Sequence, residues 1–378
     1  MTSQPPPSST TWKPVPENGS SRLPHRPVPR VRQNDFRPPR MLPITSLKRS
    51  TPSVPHDLVW IGSFRAFSHT SDDPYGEGMK AITVHSFDDG GALHLVDLPD
   101  PVPGPGQTLI EVEAAGVGYV DVMSRRGQYP GFPEPGFVPG LEVAGVVRGT
   151  GERVYAMLGD GGGYAELAVA GDVVVELPPE VSPAQAVALG ANALTASLLL
   201  DRAGVAPGES VLVRGASGGV GLMAAQVAAH LGAEVTASTR STAHAGRLNG
   251  LGFSTRDDEN ASYDVVVDPV AGAELGRHLG RLRPDGRYVV CGAAGGLPAP
   301  DFAAGLVGLF PHSPSLLMFS LSSVTPERLR SGLKTVFDLA ARGVLRGVAD
   351  AAVPLAQASL AHERLESGSV FGKVVLLP

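Results

Sequence analysis

The sequence predicts an α/β protein of two domains, one small and mostly β, the other a doubly wound parallel sheet. Three observations predict it. From Met79 the chain opens with short β-like runs separated by turn clusters. After Pro207-Gly208, short apolar strands alternate with apolar helices, the texture of a parallel sheet covered on both faces. The 378 residues suffice for two domains of ordinary size.

Residues 1–78 precede this pattern and do not share it. They are rich in Pro, Ser and Arg, without sustained helical or alternating period. Such a segment buries too little apolar surface to offset its chain entropy, so disorder is expected. Its ten Lys and Arg against six Asp and Glu give a net of +4, leaving −10 on the rest of a chain whose total is −6. Three readings stay open: an extension foreign to the protein, with Met79 as the natural start; a transit peptide; or an interaction tail.

The remaining elements follow in order. Residues 80–84 and 93–98 read as strands, and Pro101 to Gly106 as a turn cluster. Residues 108–117 alternate as a half-buried strand. Further strands are expected at 141–148, 154–158, 165–168 and 173–177, and a helix at 183–200. The βαβ part then has strands at 211–214, 234–237, 265–267 and 288–290, with helices at 219–231 and 243–251. From about Asp350 strand character returns and ends at 373–377. This sets domain limits of 79–200 with 345–378, and 201–344 between them.

Composition excludes several classes. The acidic balance argues against a nucleic-acid partner, which needs a basic face. Cys291 is the only cysteine, so an intrachain disulfide and a multi-thiolate zinc site are excluded. No run reaches the roughly 18 to 20 consecutive apolar residues of a membrane span, and no secretory signal stands out. A cytoplasmic setting without membrane partners is the expectation.

The chemistry concentrates at Gly215-Ala216-Ser217-Gly218-Gly219-Val220-Gly221, after a strand and opening a helix. Gly218 and Gly221 match the second and third glycines of a dinucleotide fingerprint, with Ala216 at the first. Gly218 lets backbone approach a pyrophosphate, Gly221 lets helix pack on strand, and the helix N-terminus offers free N–H groups. A nicotinamide dinucleotide in a Rossmann domain is expected. An NAD site places Asp or Glu about 20 residues past the glycines. Here that stretch reads Ala237-Ser238-Thr239-Arg240-Ser241, without an acid. Ser238, Thr239 and Arg240 suit a 2′-phosphate instead, so NADPH is expected over NADH. A solvated Arg240 at a helix start is the alternative.

The chain from Met79 to Leu377 resembles the medium-chain dehydrogenase/reductases, and within them the zinc-free quinone oxidoreductases, the zeta-crystallin group. The likeness rests on Gly116-Val117-Gly118-Tyr119-Val120-Asp121, Arg125-Arg126-Gly127-Gln128-Tyr129-Pro130, Pro139-Gly140-Leu141-Glu142-Val143-Ala144-Gly145, the glycine turn, and Gly372-Lys373-Val374-Val375-Leu376. The resemblance implies a GroES-like, mostly β substrate domain beside the Rossmann domain, with the active site between them. The family often has Asn where this chain has Gly118. Zinc-dependent relatives use a Cys and a Gly-His-Glu motif. This chain has Leu141 at the histidine, no cysteine in 119–122, and no four-cysteine lobe. Without those ligands no zinc is expected, and alcohol oxidation gives way to hydride transfer to a quinone or enone.

Tyr119 is the candidate donor to the acceptor oxygen, a packed tyrosine being the alternative. By the resemblance, Asn192 and Thr195 lie toward the nicotinamide, and Gly292 lets it approach the backbone. Lys373 reaches cofactor phosphate or is solvated. Asp121 fixes local backbone or pairs with Arg125, Tyr129 lines the pocket mouth or packs, and Cys291 is buried rather than reactive. The expected activity is NADPH:quinone reduction. An enoyl or alkenal reductase, or a redox sensor with little turnover, stays open. A homodimer is expected, with the apolar run 315–319 as a sheet edge or an internal strand.

Overall fold

The β-forming runs settle into three sheets in a computed structural model that describes residues 78–129 and 134–378. The extension expected at 1–78 lies outside these residues except for Gly78. β1 (Met79–Val84) and β2 (Leu93–Leu98) form an antiparallel ribbon. β3 (Thr108–Val117) is the spine of a seven-stranded sheet, and α1 (Tyr119–Arg125) leaves its end. β4 (Glu142–Val147) pairs antiparallel with β3, β5 (Arg153–Met157) with β4, β6 (Leu167–Ala170) with the start of β3, and β7 (Val174–Glu176) with β5.

α2 (Pro183–Ala203) then leads into the second sheet. Ser182 caps it, Gln185 completes the capping box, Pro183 is its first residue, and Gly204 ends it in the left-handed region at φ 63. It runs three residues past the expected domain limit at 200. By length and mean hydropathy alone α2 could cross a membrane, but polar residues such as Gln185, Asn192 and Thr195 interrupt it, and two thirds of the stretch is buried inside the protein. There Leu194, Leu199 and Leu200 form core between the sheets.

The second sheet is all parallel. Its elements are β8 (Ser210–Val213), α3 (Gly219–His230), β9 (Glu234–Ala237), α4 (Thr242–Gly250), β10 (Tyr263–Asp268), α5 (Leu275–Leu279), β11 (Leu282–Val290), β12 (Ser315–Met318) and α6 (Pro326–Ala341). The order is β12-β11-β10-β8-β9. A parallel bridge from Thr236 to Ser254 marks a vestigial strand outside β9. With it the sheet reads 3-2-1-4-5-6, the doubly wound order whose switch point lies between β8 and β10. The chain then returns. β13 (Ala349–Pro354), α7 (Ala358–Glu366) and β14 (Lys373–Leu377) follow, and β14 pairs with β3 in the first sheet.

Several elements differ from expectation. α1, α5, α6 and α7 were not read from the sequence. α6 has the signals: Thr325 as cap, Pro326 at its first position, and Leu329, Leu333, Val336 and Phe337 on one buried face. The strand expected at 165–168 lies at Leu167–Ala170, because Ala165 makes only an isolated bridge, to Ala81. β11 begins at Leu282 rather than 288, passing Asp285 at φ 59.

Candidate functional site

The switch point opens where β8 ends. Gly215 turns the chain at φ 56. Gly221 must be glycine for contact: a Cβ there would lie 2.3 Å from the Gly215 carbonyl oxygen. No side chain caps α3, and the N–H groups of Gly219, Val220 and Gly221 have no carbonyl partner among the described residues. Ala216 is buried, whereas Ser217 to Val220 are half-exposed. The result is a half-exposed helix N-terminus with free donors and a partial positive charge. β14 closes one side: the Gly372 N–H donates to Ser217 O at 2.8 Å.

The loop after β9 lies against this turn. The Ser238 carbonyl accepts from the Ala216 N–H at 2.9 Å, and the Ser217 and Thr239 hydroxyls are 3.2 Å apart. Ser241 caps α4 by accepting from the His244 N–H. Arg240 is exposed between them, with no hydrogen-bond or ion-pair partner among the described residues. One acid missed in the sequence arrives from the next loop. Asp257 bonds the Ser238 side chain, and its carboxylate is neutralised by Arg281 at 2.5 Å. Burial opposes its ionisation, yet Arg281 and Ser238 hold it below the ordinary carboxylate range. The hydroxyl proton of Ser238 is thereby used, whereas Arg240 has no partner among the described residues.

A buried charge network braces the turn from behind. Arg214, immediately before Gly215, donates to Asp268 Oδ2 at 2.6 Å and to the Ala271 carbonyl at 3.2 Å. Tyr288 donates to the same carboxylate oxygen at 2.6 Å, and burial with that charge pushes the phenol far up. Asp268 Oδ1 accepts from the Val270 and Ala271 N–H groups, where Ala271 sits at φ 51. The loops ending β8 and β10 are thus tied together across the switch point. Gly292 packs on this second loop: a Cβ there would lie 2.6 Å from Pro269 O. The glycine therefore has a packing reason besides the expected nicotinamide approach. Cys291 beside it is pushed up to about 12 by burial, then by Asp268, which keeps it a thiol.

The other wall is built from β3, α1, β4 and β14. Asn192 and Thr195 on α2 are buried and bond back to Ala188 O and Ala191 O. Asn192 also touches the turn, since a Cβ on Gly219 would lie 2.6 Å from its Nδ2. Tyr119 opens α1, is 36% exposed, and its hydroxyl has no partner among the described residues. Asp121 is backbone scaffold: it accepts from Gly118 N–H at 2.7 Å and Gly140 N–H at 3.1 Å. Burial pushes its carboxyl up to about 6 against those bonds and the Lys373 charge. Arg125 pairs instead with Glu366 at 3.1 Å. Tyr129, at the edge of the described residues, carries contacts of its own.

On this wall the sequence reading passed over Glu142 and Tyr155 as well. Lys373, expected at cofactor phosphate or in solvent, is buried and donates to Glu142 Oε1 at 2.5 Å. Tyr155 donates to Glu142 Oε2 at 2.6 Å, and the Ala191 N–H reaches the same oxygen at 3.3 Å. Gly116 and Gly190 make the room, since a Cβ on either would collide with Glu142 or Tyr155. The signal was present: a glutamate opening an apolar strand and a lysine opening the last strand each need a buried partner. Their pairing across 231 residues was not readable locally. Among the described residues no group of three or more His, Cys, Asp or Glu is placed to hold a metal ion.

Comparison with known proteins agrees with this geometry. Residues 104–179 match the alcohol dehydrogenase GroES-like domain, and 231–376 the family described as zinc-binding dehydrogenase. The chain is 35% identical over 326 residues to a quinone oxidoreductase of Lama guanicoe, covering 79% of this chain and 97% of that one. It is 32% identical over 331 residues to the quinone oxidoreductase of Homo sapiens, covering 79% and 98%. Among solved structures, a mycobacterial protein in complex with NADPH superposes with a TM-score of 0.72 at 30% identity, over 80% of this chain and all of that one. The quinone oxidoreductase of Thermus thermophilus, solved with and without NADPH, gives 0.67 at 31%, over 79% of this chain and all of that one.

Proposed function

Since the chain belongs to the quinone oxidoreductase group of the medium-chain dehydrogenase/reductases, we propose that this oxidoreductase prefers NADPH and reduces a quinone or related conjugated carbonyl without zinc. The observation that carries the reading is the exposed, unpartnered Arg240 beside Thr239, one loop away from the free N–H groups of α3. These groups fit the dinucleotide: the α3 N-terminus would hold the pyrophosphate, and Arg240 with Thr239 the 2′-phosphate. NADPH, when bound, supplies the hydride. Asn192, Thr195 and Gly292 would line the nicotinamide end, and Tyr119 would donate to the acceptor oxygen from its free hydroxyl. Leu141 stands beside Glu142 where a zinc relative has histidine, and an aliphatic side chain offers a metal nothing.

In this reading residues 79–200 with 345–378 form the substrate domain and 201–344 the cofactor domain. The partner is a small quinone or enone. The protein is a cytoplasmic homodimer, paired through β12, whose outer edge is open and where Met318 is 66% exposed.

The test is NADPH and NADH consumption against phenanthrenequinone, benzoquinones, an enone and an enoyl thioester. NADPH oxidation by a quinone, with NADH at least about tenfold poorer in kcat/KM, is expected. Turnover confined to the enone or thioester would make it a double-bond reductase. Tight NADPH binding with no acceptor reduced would make it a sensor.

A further inference from the structure

We propose that Lys373 donates a hydrogen bond from its ammonium to the acceptor oxygen, reached past Gly118, where no side chain intervenes. This rests on the reductase reading and adds a group to it. The Lys373 side chain is only 7% exposed, and Glu142 is its one hydrogen-bond acceptor among the described residues. An ammonium has three N–H donors, so two remain without a protein acceptor. The second observation is the space itself. A Cβ built on Gly118 would lie 3.9 Å from Lys373 Nζ and 3.4 Å from Asp121 Oδ2, both ordinary contacts. With φ at −108 the backbone of Gly118 suits any residue. Glycine is therefore not required by the turn; its effect is that no side chain from this position lies against the ammonium.

The chemistry gives the ammonium a use. The quinone gains one hydrogen nucleus and two electrons from the C4–H bond of NADPH, which leaves as NADP+. An electron pair then rests on the quinone oxygen, and solvent supplies one proton to complete the hydroquinone. Lys373 Nζ–H would hold that oxygen while it is negative and return unchanged. A fixed donor in a poorly solvated cleft acts more strongly than one in water. Glu142 is the positioning residue: with Tyr155 and the Ala191 N–H on its other oxygen, it aims the ammonium. Tyr119, the next residue after Gly118, would donate from a second direction.

The experiment uses p-nitrophenol, whose phenolate mimics the hydroquinone anion and is read by its own absorbance. The NADP+-loaded wild-type protein is expected to lower the apparent pKa of the bound phenol by at least about one unit, tenfold in ionisation. The paired variant Lys373→Met with Glu142→Gln leaves no lone buried charge. It should abolish the shift and lower kcat for quinone by about 100-fold, with the NADPH KM unchanged. Gly118→Asn fills the space, leaves the ion pair intact, and should also abolish the shift; it decides the matter if the paired variant does not fold. A shift that survives either variant overturns the proposal. So does a raised NADPH KM with unchanged kcat in the paired variant, which would make Lys373 a cofactor ligand. Quinone reduction by a wild type that shows no shift sinks the proposal and leaves the reductase reading intact. A shift without quinone reduction does the reverse.

Discussion

Two buried groups flank Tyr164, and their responses to pH oppose each other. His362 lies on α7, with Nε2 3.1 Å from the Tyr164 hydroxyl and Nδ1 without a partner. Burial first, then the charges of Arg125 and Arg126, push it down to about 3. Asp121 interacts with the same hydroxyl and is pushed up to about 6, mainly by burial. For His362 the unfolded chain takes a proton near pH 6.5 that the folded chain refuses. Its contribution is present above about pH 6.5 and is lost as pH falls toward 3. For Asp121 the folded chain takes the proton first. Its contribution is present below about pH 3.9 and is lost as pH rises through 6. One proton bound by only one of the two states changes stability by about 1.4 kcal/mol for each pH unit. Between about pH 7 and pH 4, His362 therefore costs about 3 kcal/mol while Asp121 returns about 2 kcal/mol. The wild type should lose only about 1 kcal/mol from this pair over that range. Asp121→Asn should expose the histidine and steepen acid loss by about 2 kcal/mol over that range. His362→Gln should reverse the slope. Urea unfolding followed by circular dichroism at each pH reads this. The slope is the quantity rather than absolute stability, since the amide introduced by Asp121→Asn keeps a single acceptor oxygen for two N–H groups. Parallel curves for wild type and Asp121→Asn would refute the reasoning.

Other perturbations follow from the same geometry. Arg240→Ala should raise the NADPH KM and lower kcat/KM with NADPH by about tenfold, while leaving NADH almost untouched; equal loss with both cofactors would remove Arg240 from the phosphate. Gly221→Ala places a Cβ 2.3 Å from Gly215 O, so NADPH affinity, read by nicotinamide fluorescence, should collapse. Wild-type affinity there would mean that the turn yields. Arg214→Met leaves Asp268 buried without its cation and should cost about 3–5 kcal/mol in denaturant unfolding. Adding Asp268→Asn should recover part of that loss, and no recovery would argue against the pair as its cause.

Periodicity and punctuation made much of the fold legible. β3, β9 and the opening of α3 lie where alternation, β-branching and the glycine turn put them. Short elements were less readable. α1 occupies a stretch whose helix start is signalled only by Asp121 reaching back to the Gly118 N–H, and α5 is a five-residue helix with no capping side chain. β11 passes through Pro284 and Asp285, residues that normally end a strand, and continues because β10 pairs with both sides of that irregularity. The place of β12 at the sheet edge depends on sheet order, which local pattern does not encode.

The site divides in the same way. The glycine turn at 215–221 is one continuous stretch after a strand and before a helix, so its geometry was readable from its own residues, and the 238–240 loop packs against it. Groups that set polarity in the cleft act in pairs distant along the chain. Glu142 with Lys373 and Arg214 with Asp268 join residues 231 and 54 positions apart. Each half looks like a local anomaly, a charge in an apolar strand, and burial makes such a charge tolerable only when a partner arrives. An unexplained charge at a strand terminus is therefore a demand for a partner, and in this chain each of the two demands is met by one buried ion pair. The Arg214 pair has every oxygen of Asp268 engaged and serves to hold the turn. The Lys373 pair leaves donors unused beside a glycine that needs no glycine, and that difference separates a brace from a group left available to a substrate.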